Sequence, residues 1–196
     1  MSSTEQTRRV KDLDTLKALG HPLRIKLYRA LYVAGTATAS QLADQVDEAV
    51  SLVSYHLRKL AKHGIIEETE GGSGDARERW WRPVTTSIST ADEDFRDAPE
   101  RDAVHTAVSR VYARQRSELY EGYLDMKATW SDDWRSSAFS SESLMPLTAE
   151  ELRSLREEII ELVLGYRLRA EAARDAGDVE GRENVAVQTY GFPFRT

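Results

Sequence analysis

The chain has no cysteine. That excludes disulfides, thiolate metal centres and a cysteine nucleophile, and it fits a reducing compartment. No apolar run approaches the ~18 residues of a membrane span. The start, Met-Ser-Ser-Thr-Glu-Gln-Thr-Arg-Arg, lacks the apolar stretch of a secretion signal. A cytoplasmic protein without membrane contact is the expectation. Histidine is also scarce: His21, His56, His63 and His105 are scattered, and none has another histidine four residues away. Asp102 with His105 would supply half of a zinc site, but no second pair of ligands follows downstream. A glycine-rich phosphate loop and a nucleophile-elbow serine are both missing. No metal, no cofactor and no enzymatic activity are expected.

What is present is an uneven charge. The formal net charge is −6 over 196 residues. Residues 1–90 hold 13 Lys and Arg against 11 Asp and Glu, and residues 91–196 hold 14 against 22. A mildly basic first part joined to an acidic second part suits a DNA-contacting domain attached to one that stays off DNA.

The first part is organised around residues 51–64, Ser-Leu-Val-Ser-Tyr-His-Leu-Arg-Lys-Leu-Ala-Lys-His-Gly. On a helix, Leu52, Val53, Leu57 and Leu60 can pack inward. Ser51, Ser54, Tyr55 and Arg58 then form a polar row. Small hydroxyls allow close approach to a groove, a phenol and a guanidinium supply reach, and Lys59 and Lys62 can meet phosphates. Gly64 stops the helix. The same pattern also fits an ordinary amphipathic helix with a solvated face, so the surroundings decide.

Val10, Leu13, Leu16 and Leu19 give a first helix with a narrow apolar stripe that ends at Gly20. Pro22 suits the first turn of a second helix, whose buried face is Leu23, Leu27, Ala30, Leu31 and Ala34. Thr38-Ala39-Ser40-Gln41 reads as a capping box that opens a short third helix to Val46. Residues 47–49 turn into the organising helix, with Asp47 rather than Ala49 chemically able to cap it. Two helices joined by a tight turn, the second carrying the polar row, make a helix-turn-helix. Beyond Gly64 the period becomes two. Residues 65–70 and 77–84 read as strands around the turn Gly71-Gly72-Ser73-Gly74-Asp75. This hairpin is a wing whose Arg77 and Arg79 can reach phosphates or the minor groove, or can pair with Glu67, Glu68 and Glu70 across the strands.

Ala-Leu-Gly-His-Pro-Leu-Arg (18–24), Gln-Leu-Ala (41–43) and Val-Ser-Tyr-His-Leu-Arg-Lys-Leu-Ala-Lys-His-Gly-Ile-Ile (53–66) resemble the winged-helix regulators of the ArsR family. Arg-Glu-Arg-Trp-Trp-Arg-Pro-Val (77–84) resembles a subgroup with a larger C-terminal domain. The resemblance implies a homodimer on double-stranded operator DNA, usually a repressor relieved by an effector. It assigns DNA contact to Ser51, Ser54, Tyr55, His56 and Arg58, with Arg77 and Arg79 in the wing; Gln41, Lys59 and Lys62 are further candidates for DNA contact. Metal-sensing members carry a Cys-x-Cys pair where this chain has Thr38 and Ser40. Those residues are not thiolates and argue against soft-metal sensing there.

The expected organisation is a flexible start over residues 1–9, a winged helix-turn-helix over 10–84, a linker over 85–100 and a C-terminal module over 101–196. Within the last, helical spacing predicts a long helix from Glu100 to Lys127. A capping box at Thr148 opens another that runs towards Arg174, and a strand over residues 185–189 is expected to pair near Leu144. Tyr120, Tyr123, Trp130, Trp134, Phe139 and Tyr166, with Arg167 or Arg169 to hold an acid, are candidates for a small-molecule effector pocket, or simply core. The fold class expected is α+β, mainly α. It combines an N-terminal winged helix-turn-helix with a C-terminal helical or α+β dimerisation or sensing module. The alternative function is a winged-helix module that binds a protein and no DNA.

Overall fold

Capping chemistry fixes where the first helices begin. The Asp12 carboxylate accepts from Thr15 N at 2.8 Å and opens α1 (Leu13–Leu19). His21 Nδ1 accepts from Leu23 N, and Pro22 occupies the first turn of α2 (Pro22–Ala34). Thr38 and Gln41 form the expected reciprocal capping box at the start of α3 (Ala39–Val46). The computed structural model describes residues 7–70, 78–85 and 87–195.

α3 ends on Asp47, the one non-glycine residue with a positive φ among those described, at 54°. Asp47 therefore caps the C-terminus of α3. The N-cap of α4 (Val50–Lys62) is Ala49, which makes no side-chain hydrogen bond. At its far end α4 closes in a Schellman arrangement. Gly64 N donates to Ala61 O at 2.8 Å and Ile65 N donates to Leu60 O at 3.1 Å, with Gly64 at φ 63°. Leu60 and Ile65 are both fully buried at this stop.

The strands are short. β2 (Ala37–Thr38), β4 (Trp80–Pro83) and β3 (Ile66–Thr69) form an antiparallel sheet in the order β2-β4-β3, with Glu68 opposite Trp81 and Glu67 opposite Arg82. β1 (Thr7–Arg9) pairs in parallel with β5 (Ser87–Ser89). Leu16, Leu27, Leu31, Leu42, Val53 and Leu57 have no exposed surface, and Trp81 joins them from the sheet. Truncating one of these leucines to alanine costs ~2–5 kcal/mol by lost transfer energy and cavity.

Two expectations change here. Thr7–Arg9, expected within a frayed start, form β1. Residues 85–100, expected as a linker, hold β5, a 3-10 turn at Asp92–Asp94 and Phe95, which is fully buried in the same core. Arg9 ties the two ends together by bonding the Asp94 and Glu93 carboxylates. The Arg9 guanidinium holds the Asp94 carboxyl below the usual carboxylate range. The long helix α5 (Pro99–Met126) packs against α1 and α2 through Val108, which is buried, and Tyr112. Burial pushes the Tyr112 phenol up to about 12. Arg29 Nη1 donates to Gln115 O at 3.1 Å. Residues Met1–Met126 thus form one unit, and Lys127–Thr196 form a second.

The second unit contains a 3-10 turn (Lys127–Thr129), α6 (Asp132–Ser137) and α7 (Ala149–Asp175). Thr148 and Glu151 make the expected capping box on α7. No strand forms over residues 185–189 or near Leu144. Val185 and Leu144 are 67% and 68% exposed, so pairing there gains no buried face, and an isolated two-stranded ribbon is marginal in water. The fold is α+β and mainly α, a winged helix-turn-helix with a helical C-terminal region.

Candidate nucleic-acid interface

α4 divides its residues by angle. Val53, Leu57 and Leu60 are fully buried against the first unit's core. On the opposite side of a 3.6-residue helix, Ser51, Tyr55, Arg58 and Lys62 are exposed, and Ser54 is half-buried among them. Lys59, half-buried at the border, places its ammonium 5.7 Å from the Tyr55 ring centroid, a cation–π contact that limits the phenol's freedom. The polar row is therefore an outward surface on a helix held rigidly from behind.

Leu52 was expected inside, but it is 39% exposed, and Val50 is 46% exposed beside it. Val50 opens the helix, and Leu52 lies at the edge of the buried side, which Val53 of the same turn already occupies at 0% exposure. Sequence reasoning did not mark either as exposed. The available signal was their place at the helix start, next to the exposed Ser51.

His56 lies on the buried side and is 4% exposed. Its Nδ1 is 3.4 Å from Arg24 Nη1, and its ring centroid is 4.4 Å from that of His21. The expected direct DNA contact does not fit this placement, because position 56 falls on the inner edge of the wheel beside Leu60. His56 supports α4 from below. Burial lowers the pKa of both histidines, and Arg24 lowers each further. Gln41 is exposed, but its Oε1 accepts from Thr38 N at 2.9 Å, so its carbonyl is committed to the cap.

The wing's tip, including Arg77, lies outside the described residues. Arg79 Nη1 is 2.8 Å from Glu68 Oε1, and Arg82 Nη2 is 2.7 Å from Glu67 Oε1. Each pair is more than 45% exposed on both sides. Exposed pairs of this kind contribute ~0–1 kcal/mol, so an arginine can exchange its carboxylate for a phosphate at little cost.

The candidate effector residues make local contacts. Tyr120 and Tyr123 stack at 6.1 Å on α5, and Trp130 meets Trp134 edge-on at 6.4 Å. Tyr166 is 65% exposed with Arg169 over its ring at 4.2 Å, and Arg167 lies 3.8 Å from Glu171. Among the described residues no group of three His, Asp or Glu side chains could hold a metal, and no helix is long and apolar enough to cross a membrane.

Residues 19–69 match a family described as a helix-turn-helix domain. Among solved structures the chain is similar to a possible transcriptional regulator for arsenical resistance, at 22% identity over 56% of this chain and 97% of that one, with a TM-score of 0.32. It is similar to the YusO protein of Bacillus subtilis at 16% identity over 78% and 81% of the two chains, with a TM-score of 0.33. It is also similar to a zinc-responsive MarR family member, ZitR of Lactococcus lactis, at 16% identity over 72% and 74%, with a TM-score of 0.29. No curated protein matches the chain.

Proposed function

We propose that the protein is a sequence-specific, DNA-binding transcriptional regulator of the ArsR-like winged-helix type, acting as a homodimer and a repressor. The helix-turn-helix match over residues 19–69 supports a DNA-binding regulator. The observation that carries the finer reading is the outward row Ser51, Ser54, Tyr55, Arg58 and Lys62 on a helix whose other side is locked into the core.

In this reading α4 enters the major groove. Arg58 and Tyr55 contact base edges, the two serines permit close approach, and Lys59, Lys62 and Arg79 engage phosphates. Two reading helices about 34 Å apart would address half-sites one helical turn apart, so the operator is near-palindromic. A protein of formal charge −6 needs its cations concentrated on this face to bind DNA, and the acidic remainder keeps non-specific association low. Repression then follows from occupancy of a promoter, and relief from any effector with unequal affinity for the free and DNA-bound conformations.

The test is selection of bound sequences from a random DNA pool with the purified protein at two salt concentrations. An enriched palindrome supports the regulator. Recovery without sequence preference, or no recovery at low salt, contradicts it, and the latter favours a protein-binding winged helix.

A further inference from the structure

A cavity of about 320 Å³ opens between the start of α2, the end of α3 and the inner edge of α4. That is within the size range of small-molecule sites, ~300–1,000 Å³. Leu23, Val46 and Leu52 give it an apolar wall, while His21, His56, Lys26 and Glu48 bring polar groups to it. Leu52 and His56 stand one turn apart on α4, and no residue of the outward row lines the cavity.

The partners of the two histidines decide what the cavity offers. His21 Nδ1 accepts from Leu23 N at 3.2 Å, and His56 Nδ1 faces the Arg24 guanidinium, which can only donate. Burial lowers both pKa values, so at neutral pH each ring is uncharged and carries its proton on Nε2. His56 is 4% exposed, and its Nε2–H has no hydrogen-bond partner among the described residues. A covered donor without a partner is unfavourable until an acceptor reaches it. Lys26 makes no ion pair among the described residues either. Two ring N–H groups and an ammonium therefore stand against one acceptor, the Glu48 carboxylate.

We propose that this cavity binds a small aromatic monocarboxylate, with its ring against Leu23, Val46 and Leu52 and its carboxylate receiving the Lys26 ammonium and the histidine N–H groups. Three donors match the two oxygens of one carboxylate, and charge-assisted bonds of this kind are the strong ones. An amine would meet Glu48 and leave all three donors unmatched. Glu48 in turn repels a second negative charge, which selects against dicarboxylates. The two imidazole rings, 4.4 Å apart, add a flat wall suited to an aromatic body. Binding needs no DNA; its consequence rests on the regulator reading above, because an occupant touching α2 and α4 together shifts the equilibrium of α4.

The experiment is calorimetric titration of the full chain, without DNA, with benzoate as the probe and benzamide and benzylamine as its neutral and cationic counterparts. Benzoate binds once per chain, and each counterpart binds about tenfold more weakly or not at all, the loss expected when a charge-assisted hydrogen bond is removed. Lys26→Met weakens benzoate binding by a similar factor, and Glu48→Gln strengthens it by removing the opposing carboxylate. Both positions are exposed, circular dichroism reports folding, and a gain at Glu48→Gln cannot come from misfolding. In the wild type, benzoate shifts the ring resonances of His21 and His56 and leaves those of His63 and His105 in place. No binding of benzoate at millimolar concentration, equal binding of benzamide, no change in either variant, or shifts confined to the other histidines overturns the proposal. A chain that selects a DNA sequence but ignores benzoate overturns the site and leaves the DNA reading intact. Benzoate binding by a chain that selects no DNA upholds the site and contradicts the regulator.

Discussion

The ring of His56, on the inner side of α4, lies 4.4 Å from the ring of His21, the N-cap of α2, with the planes tilted by 42°. Arg24 Nη1 stands 3.4 Å from His56 Nδ1. A guanidinium can only donate, so Nδ1 must accept and the proton of His56 belongs on Nε2. A second proton would place a cation against Arg24 in a poorly solvated space. Lys26 and Glu48 face the same cavity, of about 320 Å³, and Glu48 offers the one carboxylate there.

Both histidine pKa values are lowered in the fold, first by burial. The unfolded chain therefore takes up protons near its ordinary pKa of about 6.5 while the folded chain resists them. The contribution to stability is present above that value and is lost as pH falls through the lowered folded values. Melting temperature measured from pH 7.5 to pH 5 is expected to drop, and His56→Gln is expected to flatten the drop. A wild-type profile that rises or stays level towards pH 5 contradicts the geometry.

Gly64 is the second site where backbone and neighbour act together. Its φ is 63°, and a Cβ there would stand 3.1 Å from Arg8 Nη1, which donates to Gly64 O. Gly64→Ala is expected to cost about 1 kcal/mol or more in urea unfolding. Gly64→Ala in an Arg8→Ala background provides the comparison, because it removes the neighbour and keeps the backbone strain. Equal losses with and without Arg8 would show that Arg8 adds nothing.

Gly20 sits where α1 gives way to α2 beneath α5. A Cβ on it would come within 2.8 Å of Val108 Cγ2. Gly20→Ala should therefore destabilise by ~1–3 kcal/mol through overpacking. Adding Val108→Ala should recover part of that loss, since the second change removes the clashing methyl. Strict additivity in the double-mutant cycle would mean that α5 shifts freely and is not held at this contact.

Some of this was legible because it is local. The capping boxes at Thr38 and Thr148 join a side chain to a backbone N–H three residues away, so the pattern alone announces the helix start. The inner leucines of α4 obey a 3.6-residue period and were equally readable. His56 and Leu52 were not, because both lie near the boundary of the helical wheel, where packing of α2 decides which is covered. Residues 85–100 look like a polar linker because parallel pairing with Thr7–Arg9 and the burial of Phe95 depend on chain distant in sequence. The alternation at 185–189 misled for a related reason: a period of two needs a partner strand and a covered face, and this unit supplies neither to Val185.

In the proposed reading the wing supplies affinity and α4 specificity. Arg79 is paired with Glu68 at 2.8 Å, and the proposal has a DNA phosphate displace that carboxylate. Arg79→Ala is expected to weaken operator and random DNA by the same factor and to flatten the dependence of log affinity on log salt by about two for a dimer. An unchanged salt slope would remove Arg79 from the phosphate contacts.

The most direct test of base reading by α4 is repeated DNA selection with Arg58→Ala beside the wild type. Loss of preference at one position in each half-site, with discrimination there falling by about 1–3 kcal/mol, is the predicted result. An identical preferred sequence bound more weakly would contradict the account, because Arg58 would then be a phosphate contact and the outward row would not be the reading surface.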